Sequence, residues 1–385
     1  MPSTQMREIH FIVGSLDIGG AERHLSQVLP VLKARGLSIK VLLLSNKAAL
    51  KPIFEKAGIT INLAPNFDFL PAFIRRPLSL ITSITRLSLN FLKNPKAIHH
   101  PFLPEAYLLT AVAARLTFFK GVLVMSRRSL NHYLKRRPAL KLERLFFGST
   151  QAVLGNSQAV VQQLYEEGFS KEKVKLIYNG ISTVPFQNLP SKTELRNSFR
   201  LDPNALIFII VANLIPYKGH EDLLNAFAKI ADKLPENWRL LCVGKDSGIL
   251  GGLKKQADNL KIANHVEFLG SRTDTAELLS ASDIGILCSH EEGFSNAILE
   301  AMAARLPMVV TNVGGNAEAV QDKITGLVVE PHDPESLSKA LLELALSDMK
   351  RNTYGFAGKK RIDENFTLEK CVDSYEAFYK QFSSL

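Results

Sequence analysis

Residues 9–45 read IHFIVGSLDIGGAERHLSQVLPVLKARGLSIKVLLLS. The stretch opens and closes on short runs, IHFIVG (9–14) and IKVLLLS (39–45), that are almost wholly apolar instead of alternating. Such strands are covered on both faces and belong to a parallel sheet. Between them lie a glycine-containing loop and a segment whose apolar residues recur at helical spacing before it closes at Gly36. Strand, loop, helix, strand is one βαβ unit. The rhythm returns in VLVMS (122–126), in AVLGNS (152–157) with a helix running to about Glu167, and in VKLIYNG (174–180). One doubly wound domain over residues 1–181 follows.

Residues 182–204 are rich in Pro, Asn and Ser and read as a linker with a short helix. A second series then begins, with strands at LIFIIVAN (206–213), RLLCVG (239–244), HVEFLG (265–270), DIGILCS (283–289), PMVVTN (307–312) and GLVVEP (326–331). Helical patterns alternate with them: HEDLLNAFAKIADKL, DTAELLSAS, SNAILEAMAA, NAEAVQD and DPESLSKALLELALSD. This predicts a second Rossmann-like domain over 182–365. After a polar stretch, a last helix within 366–385 is expected to cross back to the first domain.

The chain has 385 residues, with 47 Lys and Arg against 37 Asp and Glu. Residues 1–180 hold 25 of the basic and 10 of the acidic side chains, so the surplus of positive charge sits wholly in the first domain. That imbalance points to an anionic partner for one half only. Cys242, Cys288 and Cys371 are odd in number and far apart, which fits neither a disulfide framework nor a cysteine zinc site and agrees with a reducing compartment. The opening residues MPSTQMREIHFIVGS do not read as a secretory signal, and no apolar run is long enough to span a bilayer. A cytoplasmic location is expected. A nucleic-acid partner would need a recognisable module or a stacking platform, and none is legible.

Ligands of open parallel sheets bind beyond the carboxyl ends of the strands. Three strand-end loops stand out. In EEGFSNAILEAMAARLPMVVTNVGG (291–315), Glu292 precedes a helix opened by Ser295 or Asn296, and Glu300 lies one turn inside it. If a diphosphate sits there, the backbone amides of Gly293, Phe294, Ser295 and Asn296 face it, and the two carboxylates can reach sugar hydroxyls on either side. Either acid alone reads as well as a solvated side chain favoured by the helix dipole. In VANLIPYKGHEDLLNAF (211–227), Lys218 can neutralise a phosphate as it departs, or can simply be a solvated loop lysine. In GSLDIGGAERHL (14–25), Gly19 and Gly20 permit close backbone approach, although the loop fails as a dinucleotide fingerprint and Gly-Gly alone is a tight turn.

GGAER, NSQAV, IYNGI, VANLIPYKG, FLGSRTDTAELLSASDIGILCSHEEGFSNAILEAMA and VVTNVGGNAEAV, in this order, resemble the retaining glycosyltransferases of family four, and bacterial polysaccharide or lipopolysaccharide enzymes in particular. The resemblance implies the GT-B fold, an α/β architecture of two Rossmann-like domains whose parallel sheets face a central cleft. It implies transfer of a hexose from a nucleotide diphosphate sugar, most simply a UDP- or GDP-sugar, to a saccharide or lipid-linked acceptor. Neither a metal nor a cofactor is implied. On this resemblance Glu292 holds the donor sugar, Glu300 the ribose and Lys218 the diphosphate, with Gly293 to Asn296 presenting amides. Gly19 and Gly20 approach from the first domain, and the chain from Gly270 to Arg272 lines the base.

Two departures from the family pattern are visible. Members carry an Arg five or three residues before the motif Lys, where this chain has Asn213 and Ile215, so Arg272 or Lys245 is expected to substitute. Members also place a His at the end of a first-domain strand. Here VLVMSRRSLNH offers Ser126, Arg127 and Arg128, and a preceding strand region offers His99 and His100; Arg128 is expected to face the cleft. Residues 69–96 mix Phe, Leu and Ile with five basic residues and no acid, and Lys135, Arg136 and Arg137 open a similar stretch. Both fit an anionic bilayer surface, with peripheral attachment at the cytoplasmic face of the inner membrane, or equally a core-facing helix with a solvated basic side. Rival functions are a sugar-nucleotide epimerase or hydrolase on the same fold, and a non-catalytic sugar- or lipid-binding protein.

Overall fold

The computed structural model describes residues 7–17, 19–131 and 138–383. Contacts divide the chain into two compact units, one running to Asn179 and resuming at Leu368, the other spanning Gly180–Thr367. The expected basic residues Lys135, Arg136 and Arg137, and the first six residues of the leader reading, lie outside the described residues.

The first unit carries β1 (Ile9–Val13), β2 (Ile39–Leu43), β3 (Thr60–Asn62), β4 (Ile98–Pro101), β5 (Val122–Arg127), β6 (Ala152–Gly155) and β7 (Val174–Leu176). They form one parallel sheet in the order β3-β2-β1-β4-β5-β6-β7, so the winding reverses between β1 and β4. The unbroken apolar character of β1 has a direct cause. Ile9, Phe11 and Val13 pack into the core beneath the helices Gly20–Ala34 and Leu368–Lys380, whereas Ile12 points to the opposite face, beneath the helices Ala72–Lys93 and Pro104–Leu116. The last helix contributes Val372, Tyr375, Phe378 and Tyr379 to the first of these cores. On its outer side Arg35 is bridged to Glu369, to Asp373 at 2.6 Å and to Glu376 at 3.0 Å.

The second unit carries β8 (Ile207–Val211), β9 (Arg239–Val243), β10 (Val266–Gly270), β11 (Ile284–Leu287), β12 (Met308–Thr311) and β13 (Gly326–Val329) in a parallel sheet of order β10-β9-β8-β11-β12-β13. Its winding reverses between β8 and β11, which makes the carboxyl ends of those two strands the topological switch point. The linker helix Lys192–Ser198 is closed by a capping box of Ser191 and Glu194 and anchored by Arg196, whose guanidinium reaches Asp283 at 2.7 Å.

Several elements were not legible as such. Strand β3 has three residues, two of them exposed and polar. The helix Leu250–Asn259 carries two glycines in its first turn and buries only Leu253 and Ala257. The polar stretch before the last helix is itself an 18-residue helix, Asp348–Asn365. Its apolar stripe is reduced to Gly355, Gly358 and Ile362, and i,i+4 pairs such as Lys359 with Asp363 line its outer face.

Candidate functional site

In the second unit the chain leaves β8, makes a 3₁₀ turn over Pro216–Lys218 and enters the helix His220–Ala228 through Gly219, in the left-handed region at φ 74°. A Cβ on Gly219 would sit 2.0 Å from the carbonyl oxygen of Cys288, so only glycine lets this loop lie against the end of β11. The contact continues as the His290 amide donates to the Tyr217 carbonyl at 2.8 Å. The result is that the Lys218 ammonium meets the Glu292 carboxylate, which also accepts from Ser289 Oγ at 2.9 Å. Both side chains are largely sheltered, at 17% and 11% exposure. Behind them the Glu292 loop is fixed by Gly314, where a Cβ would come within 2.2 Å of the Glu292 carbonyl, and by the Gly315 amide donating to Gly293 at 2.7 Å.

Four residues beyond Glu292 the helix Asn296–Ala303 begins, with Ser295 at its N-cap in extended conformation. Phe294 turns its ring into the interior against Phe366, so its backbone alone is on offer to a ligand. Glu300 lies one turn into the helix and is half-buried. The sequence-predicted residues Lys218, Glu292, Gly293, Phe294, Ser295, Asn296 and Glu300 therefore occupy one strand-end region.

Gly270 ends β10 and Arg272 follows it, two strands from β8. Arg272 is tied to Asp274 by Nε at 2.8 Å and Nη2 at 2.5 Å, and the pair holds its guanidinium above its ordinary pKa and the Asp274 carboxyl below. To take the place of the missing phosphate-binding arginine, Arg272 would have to give up both bonds to Asp274. Lys245, just past β9, is exposed, and its backbone amide donates to the side-chain oxygen of Asn213, one of the two positions where the family arginine was expected.

In the first unit, Gly19 is the N-cap of the helix Gly20–Ala34, and Glu22 folds over it so closely that a Cβ would lie 2.3 Å from a carboxyl oxygen. Burial raises the Glu22 pKa, and Asp17 adds to the effect. Arg128, just past β5, is half-buried, bonded to Asn179 and to Tyr375 Oη at 3.4 Å, and lies over the Phe102 ring. The neighbouring candidates are used differently. Arg127 is fully buried and bridged to Glu143 at 2.8 Å and to Glu167 at 3.2 Å, a structural role. His100 is buried between Tyr379 Oη (2.6 Å) and Ser126 Oγ (2.7 Å), and burial, with Arg128 nearby, pushes its pKa down to about 3. His99 sits among Phe91, Phe119 and Asn90, likewise held down to about 3 by burial.

Residues 18–184 match the model of glycosyltransferase family 4, and residues 191–361 that of the glycosyl transferases of group 1, so the two together take in most of the chain. The chain belongs to the family-four glycosyltransferases. Among curated relatives it is 30% identical over 236 residues to the N-acetyl-alpha-D-glucosaminyl L-malate synthase of Bacillus anthracis, covering 60% of this chain and 61% of that one. It is 26% identical over 228 residues to the UDP-Gal:alpha-D-GlcNAc-diphosphoundecaprenol alpha-1,3-galactosyltransferase of Escherichia coli, covering 58% and 57%. The chain thus spans about three fifths of the length of these relatives. HepE of Anabaena, solved in complex with UDP-glucose, superposes with a TM-score of 0.81 at 24% identity over 99% of this chain and 100% of that one, which establishes the GT-B fold.

Sequence reasoning missed the supporting residues of this family-four site. Ser289, at the end of β11, gives Glu292 its second donor, and its place three residues before the carboxylate was the available signal. Tyr375 and Asn179 hold Arg128 from 247 and 51 residues away, and no local pattern announces such partners.

Proposed function

We propose that this chain transfers a hexosyl group from a nucleoside diphosphate sugar to a hydroxyl of a saccharide or lipid-linked acceptor, with retention at the anomeric carbon and with neither a metal ion nor a cofactor. The observation that carries this reading is the sheltered Lys218–Glu292 pair at the switch point of the second sheet, beside the start of a helix. Without ligand the two neutralise each other. An entering diphosphate competes for the Lys218 ammonium and gains the positive helix end, which frees Glu292 to accept from hydroxyls of the donor sugar. Glu300 is the candidate for the ribose, and Gly270 with Arg272 for the base.

As the bond from the anomeric carbon to the phosphate oxygen lengthens, Lys218 stabilises the growing negative charge. The acceptor oxygen forms its new bond on the same face, and its proton passes to the departing phosphate. Lys245 is our candidate for a second cation, since Arg272 is engaged by Asp274. Gly19, Gly20 and Arg128 are assigned to the first unit's contribution. The UDP-glucose held by HepE and the UDP-Gal donor and lipid diphosphate acceptor in the name of the E. coli relative support the choice of substrates.

We further propose that the acceptor is met at an anionic membrane surface, by peripheral attachment from the cytoplasm. No helix among the described residues is long and apolar enough to cross a membrane. The helix Ala72–Lys93 and its approach instead expose Phe69, Phe73, Ile81 and Leu92 together with Arg76, Lys93 and Lys96. Two of the five expected cations are internally committed: Arg86 donates to the carbonyls of Leu43, Asn62 and Leu63, and Arg75 pairs with Asp68.

A panel of UDP- and GDP-sugars, incubated with and without membrane lipid extract and with EDTA, tests the chemistry. Nucleotide release that requires the extract, survives EDTA and yields product of the donor's anomeric configuration is expected. Acceptor-independent conversion would instead indicate an epimerase or hydrolase, and binding without turnover a non-catalytic protein.

A further inference from the structure

Beside the Lys218–Glu292 pair, three loops of the second unit bring together side chains that the transfer reaction does not use. Asp222 lies in the first turn of the helix His220–Ala228, His290 between β11 and Glu292, and His332 in the turn that follows β13. His290 Nε2 is 2.7 Å from Asp222 Oδ2, and the rings of His290 and His332 lie with their centroids 3.6 Å apart. One donor atom from each residue falls within 4.8 Å of the other two. His332 takes this place at φ 59°, a left-handed conformation that non-glycine residues adopt at a cost and that clusters at functional sites.

We infer that Asp222, His290 and His332 bind one transition-metal dication of the Zn²⁺ class. Two imidazoles and a carboxylate are the ligand set that Zn²⁺ and its neighbours accept, whereas Mg²⁺ and Ca²⁺ take oxygen. Tetrahedral bonds of about 2.0–2.1 Å hold ligand atoms about 3.3 Å apart. Small side-chain rotations suffice from the present spacing, in which the Asp222–His290 hydrogen bond gives way to two metal bonds. Three protein ligands leave the fourth position to water on the side of exposed His332. The His290 backbone is fixed by its amide donating to the Tyr217 carbonyl, so the second coordinating ring is carried on a braced segment.

The ion would tie the loop that carries Lys218 to the loop that carries Glu292 without contacting either residue. Its role is that of a clamp on the fold that the transfer chemistry does not require, so removal of the ion by EDTA lowers stability and not turnover, and the inference does not rest on the glycosyl-transfer reading. The three ligands come from segments 68 residues apart (Asp222 to His290) and a further 42 apart (His290 to His332, 332 less 290), so no sequence spacing signals them.

Equilibrium dialysis of the metal-free full chain against Zn²⁺ alone, and optical titration with Co²⁺, test the assignment. One equivalent per chain, visible Co²⁺ bands of a nitrogen-containing site, and a rise in thermal midpoint on Zn²⁺ addition are expected. His332→Ala and Asp222→Asn should each weaken binding at least tenfold and abolish the thermal shift, with the circular dichroism unchanged; His332 is exposed, so its variant folds. Absence of stoichiometric binding, or equal binding by the wild type and both variants, overturns the inference.

Discussion

Lys218 and Glu292 are each other's partner as well as the candidate donor contacts, and this double role sets what substitution should do. Lys218→Ala removes the cation at the leaving phosphate and also unpairs a sheltered carboxylate, so we expect kcat to fall about 10²–10³-fold, with a smaller loss of donor affinity. Single-turnover rates and calorimetric donor titration separate the two, and turnover within a fewfold of wild type would remove Lys218 from the site. For Glu300→Ala the order reverses: donor binding weakens about tenfold while the rate at saturation is mostly kept. Gly219→Ala tests the scaffold instead of the chemistry. Its Cβ would meet the Cys288 carbonyl at 2.0 Å in a backbone conformation that alanine disfavours, so a loss on the order of 3 kcal/mol is expected in denaturant unfolding. At this scale the sequence exposed the chemistry-bearing residues because each stands in, or within about a turn of, a loop between an apolar strand and a helix. It concealed Ser289, Asn179 and Tyr375, whose importance lies in what they touch.

Among the elements, the strands of both sheets were the most legible, since burial on two faces forces continuous apolar runs such as Ile207–Val211. The exception among the buried strands is β4, which reads IHHP because its two histidines are buried in hydrogen-bonded and aromatic company instead of among aliphatic chains. The amphipathic reading of residues 69–96 was open between a membrane surface and a core face, and the helix Ala72–Lys93 uses Ser83, Leu87 and Phe91 for packing while leaving large apolar side chains outside. Replacing Arg76 and Lys93 together by Glu should lower binding to anionic vesicles at least tenfold in flotation, and the loss should shrink as salt is raised. Equal binding of the wild type to neutral and anionic vesicles would sink the electrostatic part of the proposal.

For the whole molecule, the clearest expectation concerns acid. His24, His99, His100 and His220 are buried in the folded chain, where desolvation holds their pKa values down, to about 3 for His99 and His100 and about 4 for His220. The unfolded chain takes up these protons near pH 6.5, so it gains protons first as the pH falls. Stability contributed by the four neutral rings is therefore complete above about pH 6.5 and declines below it by up to about 1.4 kcal/mol per pH unit for each histidine. Denaturant midpoints at pH 7 and pH 5 check this, and identical midpoints would show that the rings are not excluded from protonation. The uneven charge, by contrast, was readable from composition alone: the 25 basic and 10 acidic residues of positions 1–180 mark the first unit as the one suited to an anionic surface.

The return of the helix Leu368–Lys380 to the first unit also has a consequence in time. Tyr375, Phe378 and Tyr379 complete a core whose other walls come from residues 9–177, yet they are made after all of Gly180–Thr367. The first unit, although begun first, therefore waits for its last wall until the whole second unit has been made, which removes the head start that N-terminal domains usually have. A chain truncated after Thr367 and released from the ribosome should accordingly show a protease-resistant second unit and a first unit that protease still cuts.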